Sequence, residues 1–409
     1  MIDNFRRETR LAAGTTPTAE ANNQAPLASD ARKMATSMNG RLRGLLVAVA
    51  VATVATVAGC ASAAALHPNV QTTWTNPGGE TPTTPEPITD FIPVIDRPCF
   101  QPPPPVPAGN GTLHGSNVEL GGDVESPVGI AYDGTYIWSV NQYSNNLTRL
   151  DPTTAETKSF RLPAGAELPD AVLFDGTWLW IANYHSANVS RIDPRTGEGT
   201  NIPLPEGASV PLSLAFDGHY VWTANNATSN LTRIDPATAD ARNIPLPEGS
   251  GSPFGITFDG TNLWTANWGT NNVSRINATS HDGETIALPP GVDKPQSIVS
   301  GGGYIWTTNS GGSTVVRIDP ANGNASVLVE LPDGAKGASG LTFDGTNLWT
   351  SFGVGNTVTR IDPATGIGST LQLPEGASNP VSIAALDGAI WTANFFSNNL
   401  TRVTLALPM

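Results

Sequence analysis

The chain contains few side chains suited to acid–base chemistry, and their spacing decides what they can do. Three histidines fall within its repetitive part: His185, His219 and His281. Histidine changes charge near neutrality, so a pair converging on one substrate would suit general acid–base catalysis. His185 follows the second strand of its repeat, whereas His219 and His281 stand in turns of the opposite face, so no two of them can share a site. A lone histidine lacks an orienting partner. His185 is therefore a candidate catalytic residue whose simpler alternative is an exposed loop side chain. The loops that follow the second strands also carry Tyr143, Tyr184, Trp268, Phe395 and Phe396. Turn chemistry does not call for large rings there. They are candidate binding residues, a stacking platform for a sugar, an aromatic ligand or a partner loop, unless they pack down over their own loops. Glu206, Glu248, Asp333 and Glu375 recur in LPEG or LPDG loops of the same face, as an acidic rim or as solvated charge. Asp133, Asp175, Asp217, Asp259, Asp344 and Asp387 precede glycine as hairpin-turn residues rather than metal ligands, and no calcium-loop, phosphate-loop or nucleophile-elbow spacing accompanies them.

The elements that hold these residues follow from an internal repeat. Trp138, Trp180, Trp222, Trp264, Trp306, Trp349 and Trp391 recur every 42 residues, with one interval of 43, and each is followed eleven residues later by an arginine, from Arg149 to Arg402. One unit, residues 211–249, divides into four short alternating strands separated by turn residues. Four antiparallel strands in about 42 residues is the period of a propeller blade. The fold expected is all-β: a seven-bladed β-propeller over residues 112–409. Residues 116–120 match 200–204, so an N-terminal strand is expected to complete the last blade and remove an exposed edge. The extra residue of the sixth interval lies between Arg317 and Leu331, where a bulge can absorb it.

The segments PFGITFDGTNLWTAN (253–267) and RIDPATG (360–366) resemble the virginiamycin B lyase family of seven-bladed propellers, and more loosely propellers of the YVTN and NHL kinds. The resemblance implies a C–O lyase mechanism that uses histidines, an acidic residue and a divalent cation, Mg2+, on one face. In the family a glutamate commonly stands three residues after the repeat tryptophan. This chain has Asn141, Asn183, Asn225, Asn267, Asn309, Phe352 and Asn394 there, and asparagine cannot act as a general base.

The amino-terminal part carries an address. Residues 1–59 are an extension and signal peptide, with Arg41 and Arg43 ahead of an apolar run too short to span as a typical helix, and translation starting at Met1, Met34 or Met38. The run ends in Val-Ala-Gly-Cys, which resembles a bacterial lipobox and makes Cys60 the expected lipidation site and link to the membrane; the alternative is secretion after cleavage near residues 63–65. Residues 60–111, with TTPEP and QPPPPVP, form a Pro-rich tether. Lipidation of Cys60 would leave Cys99 unpaired, and two cysteines supply neither a disulfide framework nor a Cys-based zinc site. A formal charge of -14, with basic residues recurring singly, argues against nucleic acid as a partner. The expectation is an exported, monomeric, membrane-anchored propeller that binds a small molecule, a cell-wall component or a protein on its loop face. The alternative is a lyase acting on a cyclic depsipeptide or related lactone.

Overall fold

Each repeat becomes a four-stranded antiparallel sheet because its β-branched and aromatic residues alternate over five or six positions between turns rich in glycine, proline, asparagine and aspartate. The computed structural model describes residues 112–311, 314–330 and 337–406. The expected signal peptide (residues 1–59), Cys60, Cys99, the expected tether (residues 60–111) and Asp333 lie outside the described residues. Described residues form seven four-stranded sheets arranged as the blades of a propeller, without helices. Blade 1 starts at Pro127, and blades 2 to 7 start at Pro169, Pro211, Pro253, Pro295, Ala338 and Pro380.

Blade 3 shows the register of all. Its inner strand (Pro211–Phe216) pairs with Val221–Asn225, which pairs with Asn230–Ile234 and then with Ala241–Pro245. Ala215, Trp222, Arg233 and Arg242 lie opposite one another across the sheet. The eleven-residue interval from tryptophan to arginine is thus a cross-strand pair. Guanidinium groups of Arg149, Arg191, Arg233 and Arg317 stand 4.3–4.9 Å from the ring centres of Tyr136, Trp178, Tyr220 and Tyr304, two residues before each tryptophan.

The core is a set of seams. Trp222 packs on Ile256, Leu263 and Ile276 of the next blade, and Trp306 likewise on Leu341, Leu348 and Ile361. Trp391 of blade 7 meets Ile130, Ile137 and Leu150 of blade 1. All seven indoles are at most 1% exposed. Towards the axis the inner strands carry only small residues at one position: Gly129, Ala171, Ser213, Gly255, Ser297, Gly340 and Ser382. Close approach of neighbouring strands demands it. A Cβ on Gly255 would meet the Gln296 carbonyl oxygen at 2.7 Å, and one on Gly340 would meet the Ile383 nitrogen at 2.8 Å.

The strand Thr112–Glu119 joins the last three strands of the chain as the outer strand of blade 7, running from Thr112 opposite Ala406 to Glu119 opposite Asn399. Thr401 Oγ donates to Asn117 Oδ1 at 2.8 Å. In blade 5 the additional residue is a β-bulge, because Val315 pairs with Val329 and Val316 with Val327, leaving Leu328 between them.

Candidate functional site

The loops after the second strands and those between blades share one face, and backbone hydrogen bonds join them. Tyr184 and His185 donate to the carbonyls of Leu168 and Glu167, as Gln142 and Tyr143 do to those of Ser126 and Glu125. His219 and His281 occupy turns at the other end of the blades. His281 Nε2 lies 3.5 Å from Arg233 Nη1 and its ring is edge-on to Trp222, so burial first and the guanidinium second hold its pKa below the ordinary value. Protonation therefore opposes folding, and stability is expected to fall as pH drops below about 6.5, the ordinary histidine value, towards the folded-state pKa, with no effect from this group above it. Urea unfolding of the wild type and His281→Gln across that range checks it: the difference between them should shrink towards low pH.

The asparagines at the family's glutamate position are building material. Asn225 is buried, its Nδ2 donating to Asn230 Oδ1 at 2.9 Å and Thr232 Oγ at 2.8 Å while Thr223 Oγ donates to its Oδ1. Asn141, Asn183, Asn267 and Asn394 donate in the same way. In blade 6 Phe352 fills the position with a buried ring, and Thr357 Oγ is left without a partner. The Asp-Gly carboxylates have a second task that turn chemistry does not suggest. Asp217 Oδ1 accepts from the amides of His219 and Tyr220, and its Oδ2 accepts from Trp222 Nε1 at 2.7 Å. Asp133, Asp175, Asp259 and Asp344 bind their indoles alike, and the Gly301 carbonyl does so in blade 5. A constant spacing of five residues from aspartate to tryptophan was the signal.

The loop face is uneven. Phe395 is buried, with Tyr143 at 5.6 Å and Phe396 at 5.3 Å between ring centres, both edge-on to it. Tyr143 and Phe396 are 53% and 57% exposed, and partial burial raises the Tyr143 phenol above its ordinary pKa. Three of the five rings thus form one cluster across the seam of blades 7 and 1. Tyr184 packs instead on Leu212 and Phe254, at the start of the inner strands of blades 3 and 4. Trp268, 38% exposed, faces Lys294, whose Nζ is 5.2 Å from its ring centre. His185 is exposed, with Nε2 3.8 Å from Glu167 Oε2. Gln142 donates to Asp170 Oδ1 at 3.0 Å. This buried carboxylate went unnoticed in the sequence, although it stands where other blades have Val128, Leu212, Phe254, Gln296, Ser339 and Val381.

One further opening reflects a lapse of the repeat. In blades 2 and 3, Asn201 and Asn243 of the outer strand donate to the carbonyls of Ala164 and Glu206 and so tie strand to loop. Blade 1 has the shorter Ser159, which turns to Thr148. A groove of about 760 Å³ opens there, lined by Gly122, Asp123, Glu125, Ser159 and Arg161 among others. Among the described residues no group of three or more His, Cys, Asp or Glu could hold a metal ion.

Residues 110–312 match the model of the virginiamycin B lyase family. No curated protein matches the chain. Among solved structures, a streptogramin B lyase superposes with a TM-score of 0.65 at 20% identity, covering 72% of this chain and 98% of its own. A catalytically inactive His-to-Ala variant of virginiamycin B lyase from Staphylococcus aureus with quinupristin gives 0.65 at 21%, covering 72% and 100%. Kuenenia stuttgartiensis hydrazine synthase gives 0.59 at 19%, covering 74% and 100%. Repeat, blade topology and structural likeness agree on a seven-bladed β-propeller, and residues 110–312, just under half of the chain, are similar to the virginiamycin B lyase family.

Proposed function

We propose that the chain is an extracytoplasmic propeller, anchored through lipidated Cys60, whose loop face binds a component of the cell envelope without cleaving it. One observation carries the reading. The position that holds a glutamate in lyases is filled here by asparagines locked into their own blades, while large rings remain exposed on the same face. Buried amides that already donate twice offer a ligand nothing, whereas exposed rings gain by being covered. The signal segment and the Pro-rich tether support display outside the cytoplasm.

Capture on isolated cell walls tests this. Wild-type protein should co-sediment saturably, and Trp268→Ala with Phe396→Ala should weaken capture about tenfold, the scale of losing one or two aromatic anchors, with little change in melting temperature. Equal capture by the double variant would sink the reading.

The His185–Glu167 pair favours a second reading, lyase chemistry on a depsipeptide such as quinupristin. A carboxylate near an imidazole can orient it and support its charge as a general base. Incubation with quinupristin and Mg2+ followed by mass spectrometry separates the two. The binding reading expects no ring-opened product; product that disappears in His185→Ala would replace it with the lyase reading.

A further inference from the structure

We infer that the groove of blade 1 is a saccharide-binding site, in which a sugar hydroxyl takes the place of a side-chain amide that other blades supply from their own outer strand. It stands apart from the aromatic rings and adds a second contact to the loop face.

The groove opens where a relay of hydrogen bonds is cut short. In blade 3 the relay runs from Asn225 to Thr232 Oγ at 2.8 Å, from Thr232 to Asn243 Oδ1 at 2.9 Å, and from Asn243 Nδ2 to the Glu206 carbonyl at 2.9 Å. Blades 2 and 7 repeat it through Asn201 and Asn117, which end on the carbonyls of Ala164 and Glu375. Blade 4 reaches the Glu248 carbonyl through Thr285. Blade 1 starts the same relay, with Asn141 donating to Thr148 Oγ at 2.9 Å, but continues into Ser159, whose Oγ is 3.3 Å from that of Thr148. Because Thr148 accepts from Asn141, its own hydrogen is available to Ser159. The Ser159 hydrogen is then left over. So is the carbonyl of Gly122, which precedes Ser159 by the same 37 residues that separate Glu206 from Asn243.

A leftover donor and a leftover acceptor, linked elsewhere by one amide, call for a small group that does both. A hydroxyl does so with a single atom, whereas a carboxylate only accepts and an ammonium only donates. The rest of the groove suits the other parts of a sugar. Asp123 and Glu125 come from the loop before blade 1 and Arg161 from the end of the strand Thr157–Arg161. None of the three has an ion-pair partner among the described residues. The carboxylates can accept from hydroxyls, and the guanidinium can donate to hydroxyl and ring oxygens, through charge-assisted bonds. Phe160 and Pro163 also line the groove and offer apolar surface to the C–H face of a ring. Its volume of about 760 Å³ lies within the roughly 300–1,000 Å³ of small-molecule sites.

Both walls are held in place without a ligand. Glu125 N–H donates to Ser144 Oγ at 3.0 Å and Asn146 Nδ2 to the Asp123 carbonyl at 2.7 Å, which fixes the loop before blade 1. Leu168 N–H donates to Asn145 Oδ1 at 2.7 Å, which fixes the loop before blade 2. A site built in advance loses little freedom on binding.

The test is a ligand-observed NMR titration of the full chain with maltose, cellobiose, mannobiose and diacetylchitobiose. At least one should bind saturably with a Kd on the order of 1 mM, the weak end of specific affinities. Ser159→Asn gives blade 1 the amide of its neighbours, and Gly122→Leu sends a side chain into open space, because a Cβ at Gly122 meets nothing within 4 Å. Each should weaken binding at least tenfold, and Ser159→Asn should melt no earlier than the wild type, so that its loss of binding is not a loss of fold. Ile367→Ala, exposed on the opposite face, should bind as the wild type does. Binding that survives both Ser159→Asn and Gly122→Leu overturns the groove as the site, and no saturable binding of any of the four disaccharides overturns the ligand class. Cell-wall capture that depends on Trp268 and Phe396 but not on Ser159 leaves the proposed function standing when this site fails, and the reverse result removes the role of the rings alone.

Discussion

Trp222→Ala is expected to cost about 3–5 kcal/mol of unfolding free energy, the range for removing a large buried aromatic side chain. The indole bridges two blades, with Ile256, Leu263 and Ile276 of blade 4 against it, so its removal empties a seam rather than the inside of one sheet. That seam cannot readily close. The inner strands of blades 3 and 4 are already in contact near the axis, where Ile256 N donates to Ser213 Oγ at 3.2 Å. Chemical denaturation read by the fluorescence of the remaining tryptophans measures the loss. A cost below about 1 kcal/mol, well under that range, would mean that the seams are not the source of cohesion.

Asp217→Ala should cost about 2–3 kcal/mol, because hydrogen bonds to a charged acceptor are stronger than neutral ones and a buried donor left alone carries its own desolvation penalty. Three donors lose their acceptor together: two turn amides and the Trp222 indole. Blade 7 supplies an internal control. Trp391 Nε1 has no partner, and Asp387 adopts a left-handed backbone conformation, φ 49°. Trp391→Phe should therefore cost less than Trp222→Phe, since only the latter breaks a hydrogen bond. Equal losses in the two phenylalanine variants would show that the carboxylate acts on the turn alone.

The period of tryptophans made the blade count legible, because a seam that must be filled seven times needs the same large side chain at the same register. The eleven-residue interval to arginine was visible without its cause, since cross-strand pairing is a property of the sheet. Asp217 and its equivalents looked like ordinary turn residues: a carboxylate that caps two amides leaves no separate trace of an indole bound by its second oxygen. The loop rings were the least legible. Tyr184 and Trp268 occupy the same repeat position as Phe395, yet each leans on whatever the next blade offers: Leu212 for Tyr184, Lys294 for Trp268 and Tyr143 for Phe395. That choice depends on pairs of residues far apart in the chain and not on the repeat. Asp170 was hidden for a related reason, because a single carboxylate among apolar equivalents becomes conspicuous only when the inner strands are brought together around the axis.

One side-chain amide in each of five blades has a consequence for how this protein can be made. Asn146, Asn188, Asn230, Asn272 and Asn399 each begin an Asn-x-Ser/Thr triplet. Each donates its side-chain nitrogen across the loop, to the carbonyls of Asp123, Gly165, Gly207, Gly249 and Gly376 respectively. An oligosaccharide attached to that nitrogen in a eukaryotic secretory host would replace one of its two hydrogens and wedge a bulky substituent between strand and loop. Modification and native packing would then compete for the same atom in each of these blades, and a host that attaches no such sugars leaves the nitrogen to the fold.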